Sequence, residues 1–182
     1  MKPLKNTFIF CAILIFSLNN SLANQNIINE ANILMKKAVM ADNKEELNLY
    51  LHEIKELTIK NQDNETLNNM YANILTSTGK YKEAYIEYKK INEKKENPSV
   101  KLLECMLQEK IDRKYLPCYQ DAISLYEKNN ITDINYVIAL ILGEDKRAND
   151  KKVSYLKENK VDELEEYTLS ISRDAYIRLI LP

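Results

Sequence analysis

Apolar residues recur every three to four positions from residue 27 to residue 142, the spacing of helices that each bury one face. Ile27, Ala31, Leu34, Met35 and Ala38 form a first stripe that ends near Asp42-Asn43. Asn43 is placed to cap a second helix, with Glu46 three residues on and Leu47, Tyr50, Leu51, Ile54 and Leu57 inward. Asp63 or Asn64 starts a third, carrying Leu67, Met70, Tyr71, Ile74 and Leu75, and Gly79 is predicted to stop it by adopting positive φ. A fourth runs from about Tyr81 to Lys95 through Ala84, Tyr85, Tyr88 and Ile91, until Asn97-Pro98 breaks it.

The pattern continues through a fifth helix opened by Ser99, with Leu102, Leu103, Cys105, Met106 and Leu107. A sixth contains Cys118, Tyr119, Ala122, Ile123 and Tyr126, with Pro117 admissible only in its first turn. The seventh, capped by Thr132 or Asp133, has almost no polar face from Ile134 to Leu142 and should be the most buried; Gly143 ends it. Beyond it the stripes are weaker. They predict a charged helix around Lys151 to Glu158, another around Asp162 to Leu169, and a short one from Arg173 to Leu181 capped by Ser172. No stretch rich in Gly, Pro or Ser divides the chain, so residues 24–182 are expected to form one domain.

Composition narrows the class to all-α. Two glycines and four prolines are too few for the turns of a β-sandwich. Acidic and basic residues, 27 and 26, are finely mixed, as on solvated helix faces. No basic patch emerges, which argues against nucleic acid as a partner.

The first residues predict export. Lys2 and Lys5 precede an apolar run from Phe8 to Phe16, and Ser21-Leu22-Ala23 offers small residues for cleavage. That run is short for a bilayer span, so residues 1–23 are read as a secretory signal peptide and not as an anchor. Cys11 lies inside the run, where a lipid-attachment cysteine would not sit. No later apolar stretch approaches membrane-spanning length, so no stable insertion is expected after cleavage, and the expected location is periplasmic or secreted. Without Lys2 and Lys5 the formal charge moves to about −3.

Helices arriving in pairs invite a search for repeats. Between Glu65 and Pro98, Ala72, Leu75, Gly79, Tyr81, Ala84, Tyr88 and Ile91 stand at the spacing of small, large, turn and aromatic positions, and the segment resembles a tetratricopeptide repeat. It departs from that family's pattern at Asn68, where an aromatic is usual, and in a late terminal proline. A step of about 34 residues gives a degenerate second copy through Met106, Tyr115, Cys118 and Ala122. A third lands on Ala139 before the register fails around Lys146 to Lys151. The resemblance implies antiparallel helical hairpins stacked as a short TPR-like α-solenoid, with the first helix of each pair on a concave face. Projected onto this chain, that face carries Asn69, Asn73 and Thr76, then Leu103, Leu107 and Lys110, then Tyr136 and Leu140. A face polar at one end and apolar at the other suits a protein or peptide partner.

The same register bears on the cysteines. Cys105 and Cys118 are the two that remain after removal of the leader, and an oxidising compartment favours pairing. In the repeat register they fall at the close-approach points of facing helices, where a disulfide is geometrically admissible. The alternative is two buried free thiols; zinc lacks both a second cysteine pair and suitably spaced histidines.

Catalytic chemistry finds little purchase. His52, the sole histidine, sits among charged neighbours and reads as a surface or boundary residue. No nucleophile elbow, phosphate loop or dinucleotide fingerprint occurs, and no cofactor is implied. The acidic runs Glu45-Glu46, Asp162-Glu163 and Glu165-Glu166 read as solvated faces, and the sequons at Asn64 and Asn130 arise readily in an asparagine-rich chain. The expected function is therefore an exported binding module, not an enzyme. An immunity protein that neutralises an envelope-targeting toxin is the leading role. An adaptor of envelope or secretion machinery is the alternative, and a helical hydrolase using a lone acid comes third.

Overall fold

The computed structural model describes residues 24–112 and 115–181, so the leader expected at 1–23 lies outside the described residues. The described chain is all-helical. In order it forms α1 (24–39), α2 (Lys44–Lys60), α3 (Glu65–Ser77), α4 (Tyr81–Lys94), α5 (Pro98–Asp112), α6 (Leu116–Lys128), α7 (Ile134–Leu142), α8 (Ala148–Glu158), α9 (Glu163–Ser170) and α10 (Arg173–Ile180).

Most helix starts are legible as side-chain caps. Asn43 accepts the amide of Glu46, Asp133 that of Tyr136, and Ser172 that of Ala175. Asp162 and Glu165 make a reciprocal capping box at α9. Of the two candidates before α3, Asn64 is the cap, accepting the amide of Leu67 at 3.0 Å. Helix α5 begins one residue earlier than expected. Asn97 accepts the amides of Ser99 and Val100, so Pro98 is the first helical residue, where its missing N–H costs nothing.

Three helix stops share one device. Gly79 (φ 74°), Asn130 (φ 54°) and Glu144 (φ 52°) all adopt the left-handed conformation. In each case the next amide reaches back six residues inclusive: Lys80 to Leu75, Ile131 to Tyr126 and Asp145 to Leu140, at 2.8 to 3.0 Å. Helix α7 ends at Gly143 as expected, and the left-handed residue is the next one, Glu144. Gly143 has a second task. A Cβ there would lie 3.0 Å from both the Ala139 carbonyl oxygen and Ile123 Cδ1, and 3.1 Å from Tyr119 Cβ. The glycine lets the end of α7 press onto α6.

Contacts resolve the chain into two compact units, one ending at Met70 and the other starting at Tyr71. A single domain is what the lack of a linker suggests; the boundary lies inside continuous helix α3, so no linker marks it. In the first unit α1 and α2 form a hairpin. Ala31, Leu34, Ala38, Leu51 and Ile54 are buried, and the Lys37 ammonium lies 5.6 Å from the centroid of the Tyr50 ring.

In the second unit α4 to α8 stack in sequence order, each on the next, and α7 also meets α5. Tyr88 of α4 donates to the Asn73 side chain of α3, and Lys110 near the end of α5 lies over the ring of Tyr81, which opens α4. Ser99 at the start of α5 bonds Tyr126 near the end of α6, and Tyr126 in turn meets Tyr136 of α7 with ring centroids 6.0 Å apart. The small residues Ala72, Ala84, Ala122 and Ala139 are wholly buried, as close helix crossings require. Helix α7 buries Tyr136, Val137, Ile138, Ala139, Leu140 and Leu142, in keeping with its nearly continuous apolar sequence.

Cys105 and Cys118 form a disulfide between α5 and α6, with Cα atoms 5.4 Å apart. Both residues are buried, so the bond is part of the core of this hairpin.

Candidate binding surfaces

The structure divides the residues projected onto a concave face. Leu107 and Leu140 have no exposed surface and Tyr136 retains 5 %. In this conformation they lie in the core and not on the open face expected of them. The reason is tertiary. Helices α5 and α7 are covered on more than one side, so an apolar row that would face solvent in an open stack belongs to the core.

The other projected residues are at least partly accessible but engaged locally. Asn69 Nδ2 donates to the Glu65 carbonyl and Thr76 Oγ1 to that of Ala72. Exposed Asn73 receives the Tyr88 hydroxyl, and Leu103 is half-buried. Lys110 Nζ donates to the Leu181 carbonyl at 2.6 Å. His52 is exposed, where its charged neighbours suggested.

A polar knot that periodicity does not reveal ties α10 to α5, α6 and α7. Arg173 Nη1 and Nη2 each donate at 2.8 Å to the two oxygens of Glu109, and its Nε donates to the Leu142 carbonyl at 3.1 Å. The guanidinium lies 4.0 Å from the centroid of Tyr115, and Tyr119 donates its hydroxyl to Glu109 at 2.8 Å. The Arg173 and Glu109 side chains keep only 17 % and 13 % of their surface exposed. Removing either partner from such a pair costs about 3–5 kcal/mol, because the other charge is left desolvated. Burial, then the neighbouring Glu109 carboxylate, pushes the Tyr119 phenol far above its ordinary range. The only sequence signal for this knot is an arginine directly after the α10 cap; its partner lies 64 residues away.

A second polar group joins α6 to the turn after α7. Arg147 donates to Asp145 Oδ2 at 2.8 Å and to Glu127 at 2.7 Å, and Glu127 also accepts the Tyr136 hydroxyl. Hydrogen bonds from Arg147 hold the Asp145 carboxyl down to about 2. Both groups read as fasteners: among the described residues no buried side-chain polar atom lacks a partner.

One open apolar surface lies in the first unit. Ile33, Lys36, Lys37, Met40, Ala41, Glu46 and Tyr50 line a hollow of about 330 Å³ between α1 and α2. Ile33 is 56 % exposed and Met40 79 %, while Lys36 and Lys37 stand at the rim. These side chains lie on the outer side of α1, opposite the buried stripe Ala31, Leu34 and Ala38. Helical periodicity in the sequence marks only the buried side.

Among the described residues no cluster of three or more His, Cys, Asp or Glu is placed to hold a metal ion, and no helix is long and apolar enough to cross a membrane. No family model matches the chain, and no curated protein or solved structure is significantly similar to it.

Proposed function

We propose that this chain is an exported protein-binding module built from tetratricopeptide-like helical hairpins. Its proposed role is that of a periplasmic immunity protein, holding an envelope-targeting toxin inactive. The observation that carries the binding reading is the hollow between α1 and α2. An apolar floor of Ile33, Met40 and Tyr50, edged by Lys36, Lys37 and Glu46, fits an apolar side chain of a partner set among charged groups. Export is supported by the buried Cys105–Cys118 disulfide, which an oxidising compartment would preserve. Stacked helices also offer an extended surface suited to blocking a larger protein by contact.

The test compares the parent chain with the double variant Ile33→Asp, Met40→Asp, each immobilised and exposed to envelope extract from its own source. Both side chains are largely exposed, so the variant should keep its fold, which circular dichroism checks. The parent should retain a protein that the variant loses, and the identity of that protein decides the role. A toxin supports immunity, whereas a component of an assembly machine favours the adaptor. An unchanged set of retained proteins would refute the placement of the surface.

A further inference from the structure

Helix α10 touches the expected partner face of α5 itself. Leu103, Leu107 and Lys110 fall on one side of α5 at helical spacing. Lys110, at the outer end of that row, holds the Leu181 carbonyl, while adjacent Glu109 holds the Arg173 guanidinium. The two ends of α10 are thus anchored on consecutive residues of α5, with Arg173 also reaching the last carbonyl of α7 at Leu142.

Between these anchors, Arg173, Ile177 and Leu181 repeat at intervals of four, a single stripe along the helix. Ile177 and Leu181 are buried, while Asp174, Arg178, Leu179 and Ile180 face solvent. A helix of eight residues is not stable alone in water, so its conformation depends on its seat. Ile177, Leu181 and the partly buried Tyr176, with the Arg173 contacts and the Lys110 bond, are the whole attachment, and local opening of this one helix can release it.

We propose that residues 173–181 are a self-ligand, occupying a helix-binding seat on α5 and α7 that a protein partner takes over. The partner segment that fits is an amphipathic helix with a guanidinium in its first turn and an apolar residue four positions later, matching Arg173 and Ile177. Glu109 is the specificity-determining group, since it accepts both arms of the fork. Occupation from within lowers apparent affinity for any external helix by the fraction of chains in which α10 is seated. This inference goes beyond the hollow on the first unit and does not need it.

The test uses the whole oxidised chain, the variant Arg173→Gln, and a fluorescent peptide with the sequence of residues 172–182. In Arg173→Gln the amides of α10 should exchange with solvent at least tenfold faster, while those of α6 and α7 keep their protection. The variant should bind the peptide at least fivefold more tightly than the parent. Equal peptide binding by both would overturn the proposal, as would exchange that quickens through α6 and α7 together with α10, since the clamp would then be core. If Arg173→Gln does not fold, Ser172→Ala serves in its place. It removes the cap on the Ala175 amide and leaves Glu109 intact. It should bind the peptide more tightly than the parent does, and equal binding again overturns the proposal. Neither readout involves an external protein, so this inference can fail while capture on the first unit succeeds, and the reverse.

Discussion

Reduction of the Cys105–Cys118 bond is the most direct perturbation of the second unit. The two positions are 13 residues apart, and both side chains are buried. Reopening a loop of that length restores freedom mainly to the unfolded chain, worth about 3 kcal/mol on the chain-entropy estimate. Against a typical domain stability of about 5–15 kcal/mol, that is a large fraction. In the double variant Cys105→Ala, Cys118→Ala the lost side-chain contacts add to this, by about 1 kcal/mol or more for atoms removed from a packed site. Urea unfolding followed by helical circular dichroism should therefore show a midpoint well below that of the oxidised parent. The melting temperature should fall on the order of 10 °C, from the usual shift per kcal/mol for a unit of this size. The chain contains two compact units, so the transition should be followed with probes in the second, such as its buried tyrosines. A parallel alkylation under denaturing, non-reducing conditions should leave Cys105 and Cys118 unlabelled. Labelling of both in material from the native compartment, or a midpoint unmoved by reduction, would refute the reasoning.

Two further substitutions and one titration test the packing. Gly143→Ala should destabilise the second unit by about 1–3 kcal/mol, because the added Cβ meets a backbone oxygen and cannot push it aside; urea midpoints measure it. Gly79→Ala meets no atom within 4 Å, so its cost, about 1 kcal/mol, should come from positive φ alone. A loss for Gly143→Ala no larger than for Gly79→Ala would remove the close approach of α7 to α6. On acidification, Asp145 is held down to about 2 from 3.8. A depressed acid stabilises the fold above its unfolded pKa, and the contribution disappears as the pH falls from about 4 to about 2. With Arg147 two-fifths exposed, solvent screening limits this to about 1 kcal/mol. Acid unfolding of Asp145→Asn against the parent should show that difference near neutrality and none at the acid end.

The helices, their caps and most of their ends were readable because they are set by neighbours in sequence. Asn43, Asp133, Asp162 and Ser172 bond amides three residues on, and Gly79 stops α3 through its own φ. The Cys105–Cys118 pair was legible too, because the two cysteines stand only 13 residues apart on successive helices. Tertiary structure alone decided the rest. The carboxylate that receives Arg173 lies 64 residues away, and no periodicity encodes a pairing between helices so remote. Leu107, Tyr136 and Leu140 carry the same local pattern whether a stack is open or closed. Only the covering of α5 and α7 turned an expected contact face into core. Gly143 is legible in sequence as the end of α7, but its second task, making room for the crossing with α6, is not. Short-range hydrogen bonds write themselves into residue order; which surfaces remain open depends on helices that meet only after the chain has folded.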